Sequence, residues 1–269
     1  MNQDRQKPSA KFDPMLGVRS PGNLTFNYDD GVFGPRPELR RLDQIRASLR
    51  DPNCAGPDPV YSIVMDVGRL EHKEEVARRM LLFGVVVYAA GRLGEEPVRS
   101  QGHIHAVAPH CGWSTPELFE IWEGHAIIYA QENASADDDP GRCFAVTARP
   151  GDKVVVPPGW AHAVINADPK APMMFGAWCD RQYGFLYDAI RAHHGLAWFP
   201  ILDGQRKIHW EPNPSYQSSD LSIRSARAHP ELGLQPSIPI YEQFAKDPES
   251  VQWVSEPARV ARVWPNFEM

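Results

Sequence analysis

Twenty-six prolines in a chain of 269 residues, gathered at 35–59, 150–172 and 230–265, restrict what this chain can fold into. Proline removes a backbone donor and fixes φ, so it breaks helices and is confined to the edges, first residues and bulges of sheets. Long helices are therefore not expected, and short strands joined by loops remain. Residues 98–178 fit that expectation. VRSQGHIHAV, LFEIWEG, HAIIYAQ, CFAVTA, KVVVPP, HAVINA and MMFGAWC follow one another with Gly, Pro and Asp between them. A recurrence of roughly ten residues predicts an all-β sandwich or barrel. VYSIVMDV and LLFGVVVYAA add two strands before it. No Gly-rich phosphate loop and no strand–helix alternation are present, which argues against a dinucleotide-binding sheet.

The flanks are less regular. Residues 1–34 read as an irregular arm, 35–195 as the β-domain, and 196–269 as a Pro-rich extension packing on it. Leu39, Leu42, Ile45 and Leu49, after Pro37, predict a short amphipathic helix. EHKEEVARRM fits either a helical turn or a charged hairpin loop. FLYDAIRAHH at 185–194, closed by Gly195, predicts a helix, and YEQFAK predicts another. ADDDP at 136–140 is an acidic loop.

Twenty-eight basic and 34 acidic residues give a net charge of −6, with both signs scattered, so no nucleic-acid surface is expected. The polar start MNQDRQKPSAKFD has no apolar h-region, and the apolar run at 81–90 is about half of a membrane span. A cytoplasmic protein without a membrane partner is the expectation. Four cysteines without CxxC spacing predict reduced thiols. Ten histidines outnumber them, so metal chemistry would rest on imidazole.

Three patterns carry that chemistry. His103 and His105 are two apart, and on a strand they project to one face. Glu117 opens the apolar strand ELFEIWEG and offers a carboxylate to complete the set, with Glu120 and Glu123 as competitors. GDKVVVPPGWAHAVIN turns at Gly151 and at Pro157–Gly159, then starts a returning strand at His162. Together, His103, His105, Glu117 and His162 form a site for one divalent ion, with Fe, Mn, Zn, Ni and Co all compatible.

The pattern G-x5-P-x-G-x2-H-x3-N from Gly151 to Asn166 resembles the second motif of the cupins. His-x-His at 103 and 105, followed by Glu-x6-Gly from Glu117 to Gly124, resembles the first and selects Glu117. Eleven residues separate His105 from Glu117, where the motif usually has three or four, and Pro97 stands where it opens on glycine. RRLDQI, DPVYSIVM, GHIHA and PPGWAHAVIN make the chain similar, over residues 30–190, to the archaeal-type, metal-dependent glucose-6-phosphate isomerases.

The resemblance implies a homodimer of jelly-roll β-barrels (the RmlC-like cupin fold) binding a metal through three His and one Glu. It also implies a sugar phosphate isomerised through an enediol, with Glu117 as the base, or by a hydride shift. For the substrate it implies Ser100, Gln101, Gly102 and Phe119 as binding residues. Gln101, Phe119 and Val86 stand where lysine, tyrosine and threonine are usual, and Cys179 and Asp180 replace a Tyr/His stretch. A guanidinium suits phosphate, so Arg92, Arg99 and Arg181 are candidates for an anion clamp. A non-haem iron dioxygenase and a non-catalytic sugar-binding cupin are the rival readings of the same ligands.

Overall fold

A strand reading LLFGVVVY has no polar face to turn to water, so both of its faces must be covered. The computed structural model, which describes residues 12–134, 138–205 and 207–269, shows what covers them. Ten strands build two main sheets. They are β1 (Glu38–Arg40), β2 (Tyr61–Met65), β3 (Leu81–Tyr88), β4 (Glu117–Glu123) and β5 (Ala126–Gln131). β6 (Cys143–Ala148), β7 (Lys153–Val156), β8 (Ala161–Asn166), β9 (Met173–Asp180) and β10 (Leu221–Ser225) complete the set. The larger sheet runs β7-β4-β9-β3-β2-β1 with every pair antiparallel. The smaller runs β8-β5-β6-β10, and there only β6 and β10 are parallel. The expected all-β fold is the fold of this chain, two sheets around one interior. All four cysteines are free.

Strand parity sorts the larger sheet into two faces. Glu117 and Phe119 face the barrel interior, and Leu118, Glu120 and Trp122 face away. Register carries the division across: Phe119 lies opposite Ala177, and Leu118 opposite Trp178. Ile63 lies opposite Val86, and Tyr61 opposite Tyr88, all on the interior face.

The outer face is covered by the extension. The helices are short: α1 (Lys73–Arg78), α2 (Asp188–Ala192) and α3 (Ile240–Lys246). From α3, Tyr241 stacks on Trp178 with centroids 5.4 Å apart, and Phe244 approaches the same ring at 4.8 Å. Phe83 meets Trp178 edge-on at 4.7 Å. Gly176 is required there, because a Cβ would come within 2.4 Å of the Trp122 ring. Glu120 fastens the layer by accepting hydrogen bonds from the Ile240 N–H (3.0 Å) and the Trp122 indole (3.2 Å). Lys153 lies 3.7 Å from Glu120 and donates to the carbonyls of Gln235 and Pro236, each at 3.0 Å. Residues 196–269 also supply β10 and a hairpin of Trp198–Leu202 with Ile208–Pro212.

Four local expectations need correction or completion. No helix forms at 37–49: β1 is followed by 3-10 turns at Leu42–Gln44 and Arg46–Ser48. Leu42 and Ile45 recur at the spacing of a 3-10 turn, while Leu39 is 43% exposed because residues 38–40 pair with β2. The stretch 71–80 is helical, a 3-10 turn at Leu70–His72 running into α1. At 185–194 only α2 is helix, since Phe185–Leu186 pairs with Ile104–His105. VRSQGHIHAV is not one strand. It meets β8 at two isolated bridges, Arg99 with Ile165 and His103 with His162, and Gly102 (φ +86°) bends the chain between them. Residues 1–11 of the arm and 136–137 of the acidic loop lie outside the described residues.

Candidate metal centre

The bend at Gly102 sets two histidines side by side, with the His103 and His162 rings meeting edge-on. His103 N–H donates to the His162 carbonyl and His162 N–H to the His103 carbonyl, both at 3.0 Å, so the rings leave adjacent backbones. His105 follows on the same side, and Glu117 enters from the start of β4. The ligand atoms of all four residues lie within 4.8 Å of one another. Glu117 Oε2 is 3.0 Å from His162 Nε2, 3.2 Å from His105 Nε2 and 3.9 Å from His103 Nε2.

The surroundings aim these atoms inward. His105 Nδ1 is 2.8 Å from the Thr115 carbonyl and His162 Nδ1 is 3.2 Å from the Trp160 carbonyl. A ring that donates from Nδ1 keeps the lone pair on Nε2. The long insertion between His105 and Glu117 therefore has a task. It supplies Thr115, and its Ser114 hydroxyl donates to the His105 carbonyl (2.6 Å) while accepting from Gly159 N–H (3.1 Å).

Burial, reinforced by His162 and His105, holds the His103 ring well below its ordinary pKa, in the neutral form that binds metals. Burial alone would raise the Glu117 carboxyl, but the His105 and His162 imidazoles packed against it hold it well below the usual carboxylate range. The Nε2 atoms of His103 and His105 are buried without a hydrogen-bond partner. Two such orphans beside one ionised carboxylate make a donor set that a cation would satisfy, and three imidazoles with a carboxylate suit a divalent first-row metal. The residues present fit the group. Glu120 points out of the barrel instead, and Glu123 lies outside the cluster, beyond a register shift in β4.

A cavity opens from the cluster into the barrel. Ser100, Gln101, Gly102 and Phe119 all line it, with Val86 and Cys179. The expected guanidinium clamps do not. Arg99 is 3% exposed and donates to Glu96 (2.7 Å) and to the carbonyls of Ser48 (2.7 Å) and Ser100 (3.0 Å). Arg181 grips Asp66 through both terminal nitrogens, and Arg92 donates to the Leu202 carbonyl. Asp180 is buried below the cavity, accepting from Gln182 N–H, with His110 Nε2 3.2 Å away.

Residues not singled out by motif also line it: Arg40, Tyr61, Tyr88, Phe185 and Tyr187. The Phe185 ring lies 4.2 Å from His103. Alternation in Tyr61-x-Ile63-x-Met65 and Phe185-x-Tyr187 is the sequence signal that points to them.

The sequence has relatives among known proteins. The glucose-6-phosphate isomerase of Thermococcus kodakarensis is 27% identical over 181 residues, covering 65% of this chain and 87% of its own. That of Thermococcus litoralis is 24% identical over 208 residues, covering 75% and 100%. Among solved structures, an oxalate oxidase matches 47% of this chain and 54% of its own at 14% identity and a TM-score of 0.35. The family model for glucose-6-phosphate isomerase matches residues 43–217, which run from before β2 to beyond β9 and include all four clustered side chains. On the strength of that match, this chain belongs to the glucose-6-phosphate isomerase family.

Proposed function

We propose that this chain interconverts glucose 6-phosphate and fructose 6-phosphate, with one divalent metal ion held by His103, His105, Glu117 and His162. The observation that carries the reading is the buried three-His, one-Glu cluster opening onto a cavity in a member of this family. A bound cation supplies Lewis acidity at the carbonyl end of the sugar. The chain does the rest. Thr115 and Trp160 fix the His105 and His162 rings, and Phe119, Phe175 and Phe185 exclude water from the same space.

Interconversion requires a hydrogen to move between C2 and C1, either as a proton carried by a base or directly as a hydride. Among the described residues, Glu117 is the one carboxylate lining the cavity, which makes it the candidate for that proton. Ser100, Gln101, Gly102 and Phe119 form the wall beside His103 against which the sugar lies. In a coupled assay on protein reconstituted with Fe(II), Mn(II) or Zn(II), turnover in both directions is expected. Absence of turnover with all three sinks the substrate assignment. Solvent deuterium at the transferred carbon is the result expected of Glu117 as base, and its absence assigns a hydride shift. On the family resemblance we also propose a cytoplasmic homodimer. Light scattering and cell fractionation test those two statements. Among the described residues, no helix is long and apolar enough to cross a membrane.

A further inference from the structure

The cavity contains one lysine or arginine among its described lining residues, and it is Arg40. It comes from the edge strand β1, in the segment that sequence periodicity assigns to a helix. As a strand residue it lies opposite Tyr61, and Tyr61 lies opposite Tyr88, so the three side chains form one cross-strand row on the interior face. The Arg40 guanidinium carbon is 5.9 Å from the centre of the Tyr61 ring, and Tyr61 stacks on Tyr88 at 4.8 Å. Ser100 continues this wall toward His103.

Arg40 also lacks a counter-charge. Its Nε is buried without a hydrogen-bond partner, and the Tyr61 hydroxyl, not a carboxylate, is the group the rest of the guanidinium meets. Glu38 and the hydroxyl of Tyr187 act on it more weakly. Every other arginine considered for this task is taken: Arg99 by Glu96, Arg181 by Asp66, Arg92 by Leu202. Arg191 lies just outside the lining, where it donates to Gln101 (3.1 Å) and sits over the Tyr187 ring. A half-buried guanidinium with an orphaned Nε and no ion-pair partner is open to an anion, and its planar donors match phosphate oxygens.

We propose that Arg40 is the phosphate-recognition residue of this cavity, gripping the phosphate of the sugar while the His/Glu cluster faces its carbonyl end. The inference rests on the isomerase reading for the identity of the sugar, but not for the phosphate. Arg40 compensates for Val86, Phe119 and Gln101, the positions where hydroxyl and ammonium donors are replaced. It selects phosphorylated over neutral sugars.

The test is calorimetric titration of the metal-loaded full chain with inorganic phosphate at fixed ionic strength, followed by steady-state kinetics with glucose 6-phosphate. In Arg40→Ala, phosphate affinity falls and KM rises by about ten- to a hundredfold, while kcat changes by less than about threefold. Arg40→Lys is intermediate, and Arg92→Ala binds phosphate as the wild type does. If Arg40→Ala does not fold, Arg40→Gln gives the same result with the length of the side chain kept. Phosphate affinity unchanged in the folded Arg40 variants, or lost equally in Arg92→Ala, overturns the assignment. Phosphate bound through Arg40 without isomerisation of any sugar phosphate overturns the functional reading and leaves this one standing. Isomerisation with an unchanged KM in Arg40→Ala does the reverse.

Discussion

Glu117 and Glu120 leave β4 on opposite faces of the same sheet, and both are largely buried, at 12% and 1% side-chain exposure. Burial pushes both carboxyls up. At Glu117, two imidazoles within 3.2 Å reverse that push and hold the group well below its usual range. At Glu120, Lys153 at 3.7 Å, one indole and one backbone N–H do not, and the carboxyl ends up at about 7. Depth of burial therefore does not decide the chemistry of a carboxylate in this barrel. The number and charge of its partners do. The inner face concentrates unsatisfied donors around one point, while the outer face uses its carboxylate to fasten a covering layer.

That contrast predicts separable damage. The largest effect is expected from Glu117→Gln, which removes the one carboxylate among the described cavity residues. Isomerase activity should fall by about a thousandfold or more, read in the coupled assay, while the folded far-UV spectrum is kept. Trp178→Ala attacks the outer face and should lower stability by about 3–5 kcal/mol in denaturant melts, with bound-metal stoichiometry unchanged in the folded protein. Loss of metal in that variant would show that the two faces are not independent.

Glu120 gives the pH test. Its folded pKa of about 7 lies above the ordinary 4.5, so the stability it contributes is complete below pH 4.5 and is lost as pH rises through 7. Glu120→Gln should flatten the stability–pH profile over that window by roughly 2–3 kcal/mol. An unaltered slope would mean that the group titrates normally. The smallest effect is expected from Gly176→Ala, whose Cβ would meet the Trp122 and Phe83 rings at 2.4 and 2.6 Å. Overpacking should cost about 1–3 kcal/mol in thermal melts, with KM unaffected.

The inner face was far more legible from sequence than the outer. His103, His105 and His162 stand at spacings that strand parity and two tight turns make readable, whereas the choice of Glu117 over Glu120 and Glu123 needs the family motif. The strands from 117 to 180 were equally plain, because each is bounded by Gly, Pro or Asp. Arg40 was hidden because Leu39, Leu42 and Ile45 recur every three residues. Amphipathic helix and 3-10 turn are hard to separate at that length, and only pairing with β2 turns Arg40 inward. The outer layer was illegible for a different reason. Glu120 is tied to Ile240 and Lys153 to Gln235 and Pro236, contacts between residues far apart in sequence that leave no local periodicity.

The position of α3 in the chain bears on how the molecule is made. All four clustered side chains and β1–β9 precede residue 181, whereas Ile240–Lys246 and Pro248–Val254, which cover Phe83 and Trp178, come much later. During synthesis, the emerging barrel must wait with an aromatic sheet surface open to water, since long-range pairing cannot precede the arrival of its partner. The interval between translating Asp180 and translating Val254 is thus the window in which this protein is most exposed to aggregation and most in need of a chaperone.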